Sequence, residues 1–157
     1  MNLLPRVLHL MLIVYYRKKR KMWKSTALTL LVIVLVQVAG YSLDQCKSVF
    51  SDSAKKQFCK TKRFETIPGV DMDKALDCVL QAVNVVDKTG YANYHGLHQP
   101  MNNIEQHRKH DINLEICIGK SFRLEPKIKR ANAFYKCIMN TDSKDTFKKV
   151  LNARVCN

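Results

Sequence analysis

The sequence predicts an all-α domain of about six helices that is held together by disulfide bonds. Apolar residues recur at helical spacing through nearly the whole chain after residue 40, and no segment alternates convincingly between apolar and polar residues. The six cysteines also lie after residue 40, at Cys46, Cys59, Cys78, Cys117, Cys137 and Cys156. An even number of cysteines in a small extracellular domain indicates disulfide bonds, although the spacing leaves their pairing open.

The chain begins with two apolar runs, residues 7–16 and 27–39, which a run of five basic residues separates. The second run is 13 residues long, and a bilayer needs roughly 20. A basic segment, a short apolar segment and small residues before a cut are typical of a secretory signal peptide. We therefore predict a signal peptide at residues 22–40, with cleavage before Tyr41, after an upstream extension at residues 1–21. The alternative is a signal anchor that uses both runs, which the intervening charges disfavour.

The charge is unevenly placed along the chain. Residues 1–40 hold seven basic and no acidic residues, and residues 41–157 hold 20 basic and 13 acidic residues, so half of the net charge of +14 lies in the leader. The remaining +7 is moderate for a domain of this length. Neighbouring cysteines are separated by at least 12 residues, and zinc sites use closely spaced ligand pairs, so no metal site is expected.

The first two helices are predicted over residues 43–58 and 71–90. The inward face of the first is apolar and comprises Leu43, Cys46, Phe50, Ala54 and Phe58. The second carries one apolar stripe of Met72, Leu76, Val79, Leu80, Val83 and Val86. Asp71 or Asp73 is expected to cap its start, and Gly90 stands just past its end, where a left-handed residue is favoured.

The middle of the chain gives weaker signals. A helix is predicted to begin at Pro100, because proline suits the first turn of a helix. A short buried piece at residues 112–118 follows, and Gly119 is expected to end it.

The last two helices carry clear apolar stripes. The inward residues of the first, "PKIKRANAFYKCIMN", are Ile128, Ala131, Phe134, Tyr135 and Ile138. The stripe of the second, "TDSKDTFKKVLNARVCN", consists of Phe147, Val150, Leu151 and Val155. Asp142 and Asp145 are interpreted as its capping pair.

No constellation of residues points to catalysis. The chain has no nucleophile elbow, no glycine-rich phosphate loop and no paired-cysteine redox motif. Histidines three residues apart on a helix share a face and can bind zinc or copper, but we interpret His95, His98, His107 and His110 as surface and loop residues. Basic residues do not alternate with aromatic ones as in a nucleic-acid stacking platform. Binding of a small apolar or amphipathic ligand between the helices is the expectation that remains.

Four segments, "MDKALDCV", "HDINLEICIGK", "ANAFYKCIMN" and "TFKKV", resemble the short salivary D-seven proteins of blood-feeding mosquitoes. These proteins are divergent relatives of insect odorant-binding proteins, and the resemblance runs from about Cys46 to Val150. It implies an all-helical, odorant-binding-protein-like and non-enzymatic protein that is secreted into saliva. We further expect a monomer without cofactor, with no membrane association after signal cleavage and no nucleic-acid partner. It also implies a ligand among the host biogenic amines, such as serotonin, histamine and catecholamines.

The resemblance further implies a disulfide pairing and a ligand site. The expected bridges are Cys46 to Cys78, Cys117 to Cys137 and Cys59 to Cys156. Amine-binding members have an arginine, a histidine, a tyrosine and two acidic residues at the site; the matching positions here are Lys62, Ala75, Tyr135, Asn152 and Val155. The tyrosine alone is retained.

The loss of both carboxylates predicts weak or lost amine binding. Leaving a buried charge without its partner typically costs about 3–5 kcal/mol. Lys62 and Arg63 would repel a cation further. The chain also ends at Asn157, where members of the family continue with further helices, so we expect a shallower and wetter pocket.

Two other ligand classes stay open. Basic clusters at residues 60–63, 127–130 and 148–149 favour an anionic host partner, such as a polyanion-bound clotting component or heparan sulfate. A lipid of the odorant type is the second alternative, with Lys62 meeting a carboxylate head. Binding to a surface polyanion should weaken with salt, whereas an enclosed ligand should be less sensitive.

Overall fold

The computed structural model describes residues 42–157, which lie in one compact unit, Tyr41–Asn157. The predicted upstream extension, signal peptide and cleavage site lie outside the described residues. Six α-helices follow a 3₁₀ turn at Leu43–Cys46: α1 Asp52–Lys60, α2 Met72–Ala82, α3 Tyr94–Ile104, α4 Arg108–Phe122, α5 Ile128–Ile138 and α6 Lys144–Val155. Within residues 42–157 the only β-type pairing is an isolated bridge between Val86 and Ala92. The all-α prediction is confirmed.

Helix α5 packs against both α2 and α4, and α6 packs against α3 and α1. The stripes predicted for α5 and α6 supply much of the core: Ala131, Phe134, Tyr135, Ile138, Phe147, Val150, Leu151 and Val155 are all buried. Ile128, at the start of α5, is only half-buried. Amphipathic helices of this kind are stabilised mainly by burying their apolar face.

Three disulfide bonds connect the elements. Cys46–Cys78 joins the 3₁₀ turn to α2, Cys117–Cys137 joins α4 to α5, and Cys59–Cys156 joins the end of α1 to the residue after α6. These are the three pairs that the resemblance implies. The Cys59–Cys156 bridge spans 97 residues of sequence and holds the C-terminal end of the chain against the end of α1.

The single first helix predicted over residues 43–58 is wrong, because Ser51 divides it. The Ser51 hydroxyl oxygen accepts a hydrogen bond from the Ala54 N–H at 3.3 Å and caps the start of α1. The inward residues Phe50, Ala54 and Phe58 are nevertheless buried as predicted.

The second helix is shorter than predicted. The Asp71 carboxylate caps its start by accepting the N–H groups of Asp73 and Lys74 at 3.2 and 3.3 Å. The helix ends at Ala82, and the left-handed residue after it is Asn84, with φ of 55°. Gly90, with φ of 78°, belongs to a later turn instead.

The boundaries predicted for α3 and α4 are also wrong. Helix α3 begins at Tyr94 and contains Pro100 in its interior. A proline inside a helix leaves the carbonyl four residues earlier without its N–H donor, and here Arg154 of α6 donates to that Gly96 carbonyl at 2.7 Å. Because a distant residue supplies the missing donor, local sequence rules place the helix start too late.

Helix α4 is one continuous helix that runs through Gly119. The predicted buried piece is buried at Leu114 and Cys117, but Ile112 and Ile116 face outward and are each 46% exposed. The Asp142 side chain accepts a hydrogen bond from Asn113 of α4 at 2.5 Å rather than capping α6, and α6 has no side-chain cap.

His110 is a core residue, which corrects its interpretation as a surface histidine. It is completely buried on α4, and its Nδ1 lies 2.9 Å from the Ser143 hydroxyl oxygen. Its Nε2 lies 3.5 Å from a carboxylate oxygen of Glu105. His95 and His98 lie on α3, not in a loop.

Protonation of His110 is expected to weaken the fold below about pH 6.5. Burial lowers the pKa of His110 from its ordinary 6.5, against the opposing charge of Glu105. Because the folded pKa is depressed, the stabilisation is complete above pH 6.5 and is lost as the pH falls through the folded pKa, by at most about 1.4 kcal/mol per pH unit. Urea unfolding measured between about pH 7.5 and pH 5, the range in which histidines titrate, should show this loss of unfolding free energy. The H110Q variant should lose less unfolding free energy over the same pH range. An unchanged pH dependence in H110Q would contradict the assignment to His110.

Candidate functional site

Aromatic rings surround Tyr135 in the core between α1, α5 and α6. The Tyr135 ring centroid lies 5.4 Å from that of Phe58, 6.0 Å from that of Phe64 and 6.2 Å from that of Phe147. Tyr135 is 1% exposed. The amphipathic pattern of α5 predicts this inward orientation, whereas Phe64 lies in the loop after α1, where no helical periodicity indicates burial.

The Tyr135 hydroxyl is buried and has no hydrogen-bond partner within residues 42–157. Burial raises the pKa of this phenol, and the negative charge of Glu65 raises it further. A buried hydroxyl without a partner costs free energy, typically about 1–3 kcal/mol. The hydroxyl is therefore a group that a bound ligand would stabilise by hydrogen bonding.

Lys148 lies in the same region and is only 7% exposed. Its ammonium donates a hydrogen bond to the Phe58 carbonyl at 2.7 Å and lies 3.9 Å from the centroid of the Phe58 ring. This is a cation–π contact at short range. Burial lowers the pKa of Lys148 to about 8, so the side chain is still mostly protonated at neutral pH.

The interpretation of residues 148–149 as an exposed basic cluster is therefore wrong for Lys148. A sequence signal for its burial does exist, because Lys148 lies three residues before Leu151 and seven before Val155 on the same helical face. The charge of Lys148 suggests a solvent-exposed side chain, whereas its position on the apolar stripe of α6 indicates the core.

Asn152 lies one helical turn after Lys148 on α6. Its side-chain amide donates a 3.4 Å hydrogen bond to the Cys59 carbonyl, next to the Phe58 carbonyl that Lys148 binds. Val155, on the following turn, is completely buried. The two positions at which the resemblance implies carboxylates in amine-binding members thus present an amide and an isopropyl group.

The other two site residues predicted from the resemblance lie in different surroundings. Lys62 is exposed and lines an open groove of about 500 Å³ along α1. Ala75 is completely buried in α2 and offers no polar group. The structure therefore brings Tyr135 and Asn152 to the end of α1 together with Lys148, which sequence reasoning did not place there, and it leaves Lys62 at the surface.

Chemically, the cluster formed by Phe58, Phe64, Tyr135, Lys148 and Asn152 is apolar and aromatic, with one hydroxyl, one amide and one ammonium. We call it the Tyr135 cluster. None of its five members is acidic. The Glu65 carboxylate lies outside these five residues, but its charge acts on the Tyr135 phenol.

Neither metal binding nor membrane crossing finds support in residues 42–157. No group of three or more histidine, cysteine or acidic side chains in that range is placed to hold a metal ion. No helix within it has both the length and the apolar character that crossing a bilayer requires.

Comparison with known proteins identifies close relatives, although no protein-family model matches the chain. The chain is 40% identical over 135 residues to the short form salivary protein D7R1 of Anopheles stephensi, covering 86% of this chain and 80% of the relative. It is 38% identical over 133 residues to D7R4 of Anopheles gambiae, covering 85% and 79%.

A solved structure agrees with these relatives. The crystal structure of the Anopheles gambiae D7R4–norepinephrine complex matches with a TM-score of 0.62 at 37% identity, over 73% of this chain and 79% of that one. Sequence identity and fold agree over most of the chain, and this chain belongs to the short-form salivary D7 (D-seven) protein family.

Proposed function

We propose that this chain is a secreted salivary binding protein that keeps the amine-binding scaffold of its family but binds biogenic amines weakly or not at all. The salivary relatives and the norepinephrine complex of D7R4 support the scaffold and the localisation. We further propose that residues 22–40 are removed as a signal peptide, and that the protein acts without catalysis or a cofactor.

The observation that carries the proposal is the charge of the Tyr135 cluster. Asn152 and Val155 supply no carboxylate, and the Lys148 ammonium already lies against the Phe58 ring. An amine that entered this cluster would lose its hydration and meet a like charge. Without a partner for the ammonium, the loss is about 3–5 kcal/mol, or a few hundred-fold or more in affinity.

Isothermal titration calorimetry tests the proposal. The full sequence is expressed in insect cells, and the secreted protein is titrated with serotonin, histamine and norepinephrine. The mass of the secreted protein also reports the leader cleavage, which we expect before Tyr41. We expect no submicromolar binding from a protein that circular dichroism shows to be folded.

Submicromolar binding of any amine would contradict the proposal. The exposed carboxylate of Glu65, whose charge reaches the Tyr135 phenol, would then be the first partner to test with E65Q. Loss of binding in E65Q, with the fold intact, would assign the ammonium to Glu65.

A second candidate function is binding of an anionic amphiphile such as a fatty acid. The Tyr135 hydroxyl without a partner and the buried Lys148 ammonium favour it, because both can donate to a carboxylate. Fatty-acid titration of the parent protein and K148M separates the two candidates. Equal binding by both proteins, or none, would count against a carboxylate at this cluster.

A further inference from the structure

The three basic clusters of the sequence have different environments in the structure. In the 148–149 cluster, Lys148 is buried, as described above. In the 127–130 cluster, Arg130 is 5% exposed and its guanidinium contacts Glu125 at 2.5 Å and the Tyr91 ring at 4.6 Å. In the 60–63 cluster, by contrast, the basic side chains are exposed. Among the three clusters, the 60–63 cluster is the one in which every basic side chain is exposed and can contact a partner.

The 60–63 cluster extends into a groove along the outer face of α1, with a volume of about 500 Å³. We call it the α1 groove. Its helical residues follow the i, i+3, i+4, i+7 spacing of one helix face. The groove is lined by Ser53, Lys56, Gln57, Lys60, Thr61, Lys62 and Glu65.

The α1 groove has an excess of positive charge. Lys56, Lys60 and Lys62 contribute three ammonium groups, and Glu65 contributes one carboxylate. Within residues 42–157 none of these three lysines takes part in an ion pair with a carboxylate. A ligand with several anionic groups at the spacing of a helical turn would therefore find cations that no internal partner neutralises.

The uncharged residues of the groove indicate which polyanion fits. The Gln57 amide can donate to a sulfate or bind a sugar hydroxyl, and the Ser53 hydroxyl lies 2.9 Å from that of Ser51. The Thr61 hydroxyl donates to the Phe58 carbonyl at 2.9 Å, so its oxygen remains as an acceptor for a sugar hydroxyl. No aromatic side chain lines the groove to stack on nucleic-acid bases, and no aliphatic side chain lines it to enter a lipid layer.

We propose that the α1 groove is a binding site for a sulfated polysaccharide chain such as heparan sulfate. Lys56, Lys60 and Lys62 bind the sulfate and carboxylate groups, and the hydroxyl and amide groups set the orientation of the sugar. The groove shares no lining residue with the Tyr135 cluster, so the proposal does not depend on whether an amine or a lipid binds there. A protein held this way would stay near the cell surfaces onto which it is secreted.

A charge-matched pair of variants tests the proposal on the secreted protein. The groove variant K56Q/K60Q/K62Q and the control variant K88Q/K127Q/K129Q each remove three exposed lysine charges. Heparin oligosaccharides of defined length are the probe, measured by calorimetry at about 0.15 M ionic strength. We expect the groove variant to bind about tenfold more weakly or worse, since three charge contacts are lost together, and the control to stay close to the parent.

Three results would overturn the assignment. The first is no heparin binding by the parent protein at that ionic strength. The second is equally weakened heparin binding by both variants, which would indicate that net charge alone is responsible. Binding of single-stranded DNA or anionic vesicles as tightly as heparin, with the same loss in the groove variant, would replace the sulfated polysaccharide by another polyanion. Circular dichroism of both variants checks that the fold is intact.

Discussion

Removing the Cys59–Cys156 bridge is expected to cost about 4.7 kcal/mol of unfolding free energy, the largest stability loss of any single bridge. The bridge closes a loop of 97 residues. The conformational entropy that a bridge removes from the unfolded chain grows with the length of the closed loop. Small domains are stable by only about 5–15 kcal/mol. We therefore expect C59A/C156A to lose between about a third and nearly all of that stability, with α6 released from α1.

The Cys117–Cys137 bridge is the matched control, because it spans only 20 residues. The same relation gives about 3.3 kcal/mol for C117A/C137A. Urea unfolding followed by far-UV circular dichroism measures both losses; the chain has one tryptophan, Trp23, which lies in the predicted leader, so tryptophan fluorescence is unsuitable. If C117A/C137A lost more stability than C59A/C156A, the loop-length argument would fail for this fold.

Restoring an amine site is expected to need two substitutions, K148M and N152D, and to raise amine affinity by roughly 10- to 100-fold, the value of a charge-assisted hydrogen bond. Lys148 and Asn152 lie four residues apart on α6, the spacing at which side chains on a helix pair. A carboxylate introduced by N152D alone would therefore bind the Lys148 ammonium rather than a ligand. Removing that ammonium leaves the new carboxylate available to the amine.

Titration of the parent, K148M, N152D and the double variant with norepinephrine forms a double-mutant cycle. We expect little gain from either single substitution and a large gain from the pair. If N152D alone gave the whole gain, Lys148 would not be the obstacle, and the charge argument for weak amine binding would rest on Asn152 alone. Y135F in the double-variant background would then report whether the ligand contacts the Tyr135 hydroxyl.

Much of the fold can be predicted from local sequence, because the signals for its strongest helices are themselves local. The apolar stripe of α6 is evident from spacing alone, and Asp71 is one of the two aspartates expected to cap α2. Two errors concern local features, the Ser51 cap and the left-handed Asn84, whereas the error at α3 arises where a distant residue supplies what the local sequence lacks. Helix α3 continues through Pro100 because Arg154 donates to the Gly96 carbonyl, and no local pattern contains that contact.

The candidate site likewise combines features that the sequence predicts with features that depend on distant elements. The family resemblance leads to Tyr135 and Asn152 and implies that the acidic partners of an amine are replaced. The position of Lys148 on the apolar stripe of α6 hints at burial, but a charged residue is buried only when another element satisfies it. That element is the end of α1, whose Phe58 carbonyl and ring contact the ammonium.

Apolar spacing and cysteine content are enough to predict an all-α protein with an even set of cysteines, and the family resemblance implies that two acidic residues of the amine site are replaced. The tertiary structure determines which of the charged side chains a ligand can reach. It buried Lys148, committed Arg130 to internal contacts and left Lys56, Lys60 and Lys62 in an open groove. The physical reason is that helical periodicity depends on residues within a few turns, whereas the solvation and partners of a charge depend on every element that packs around it.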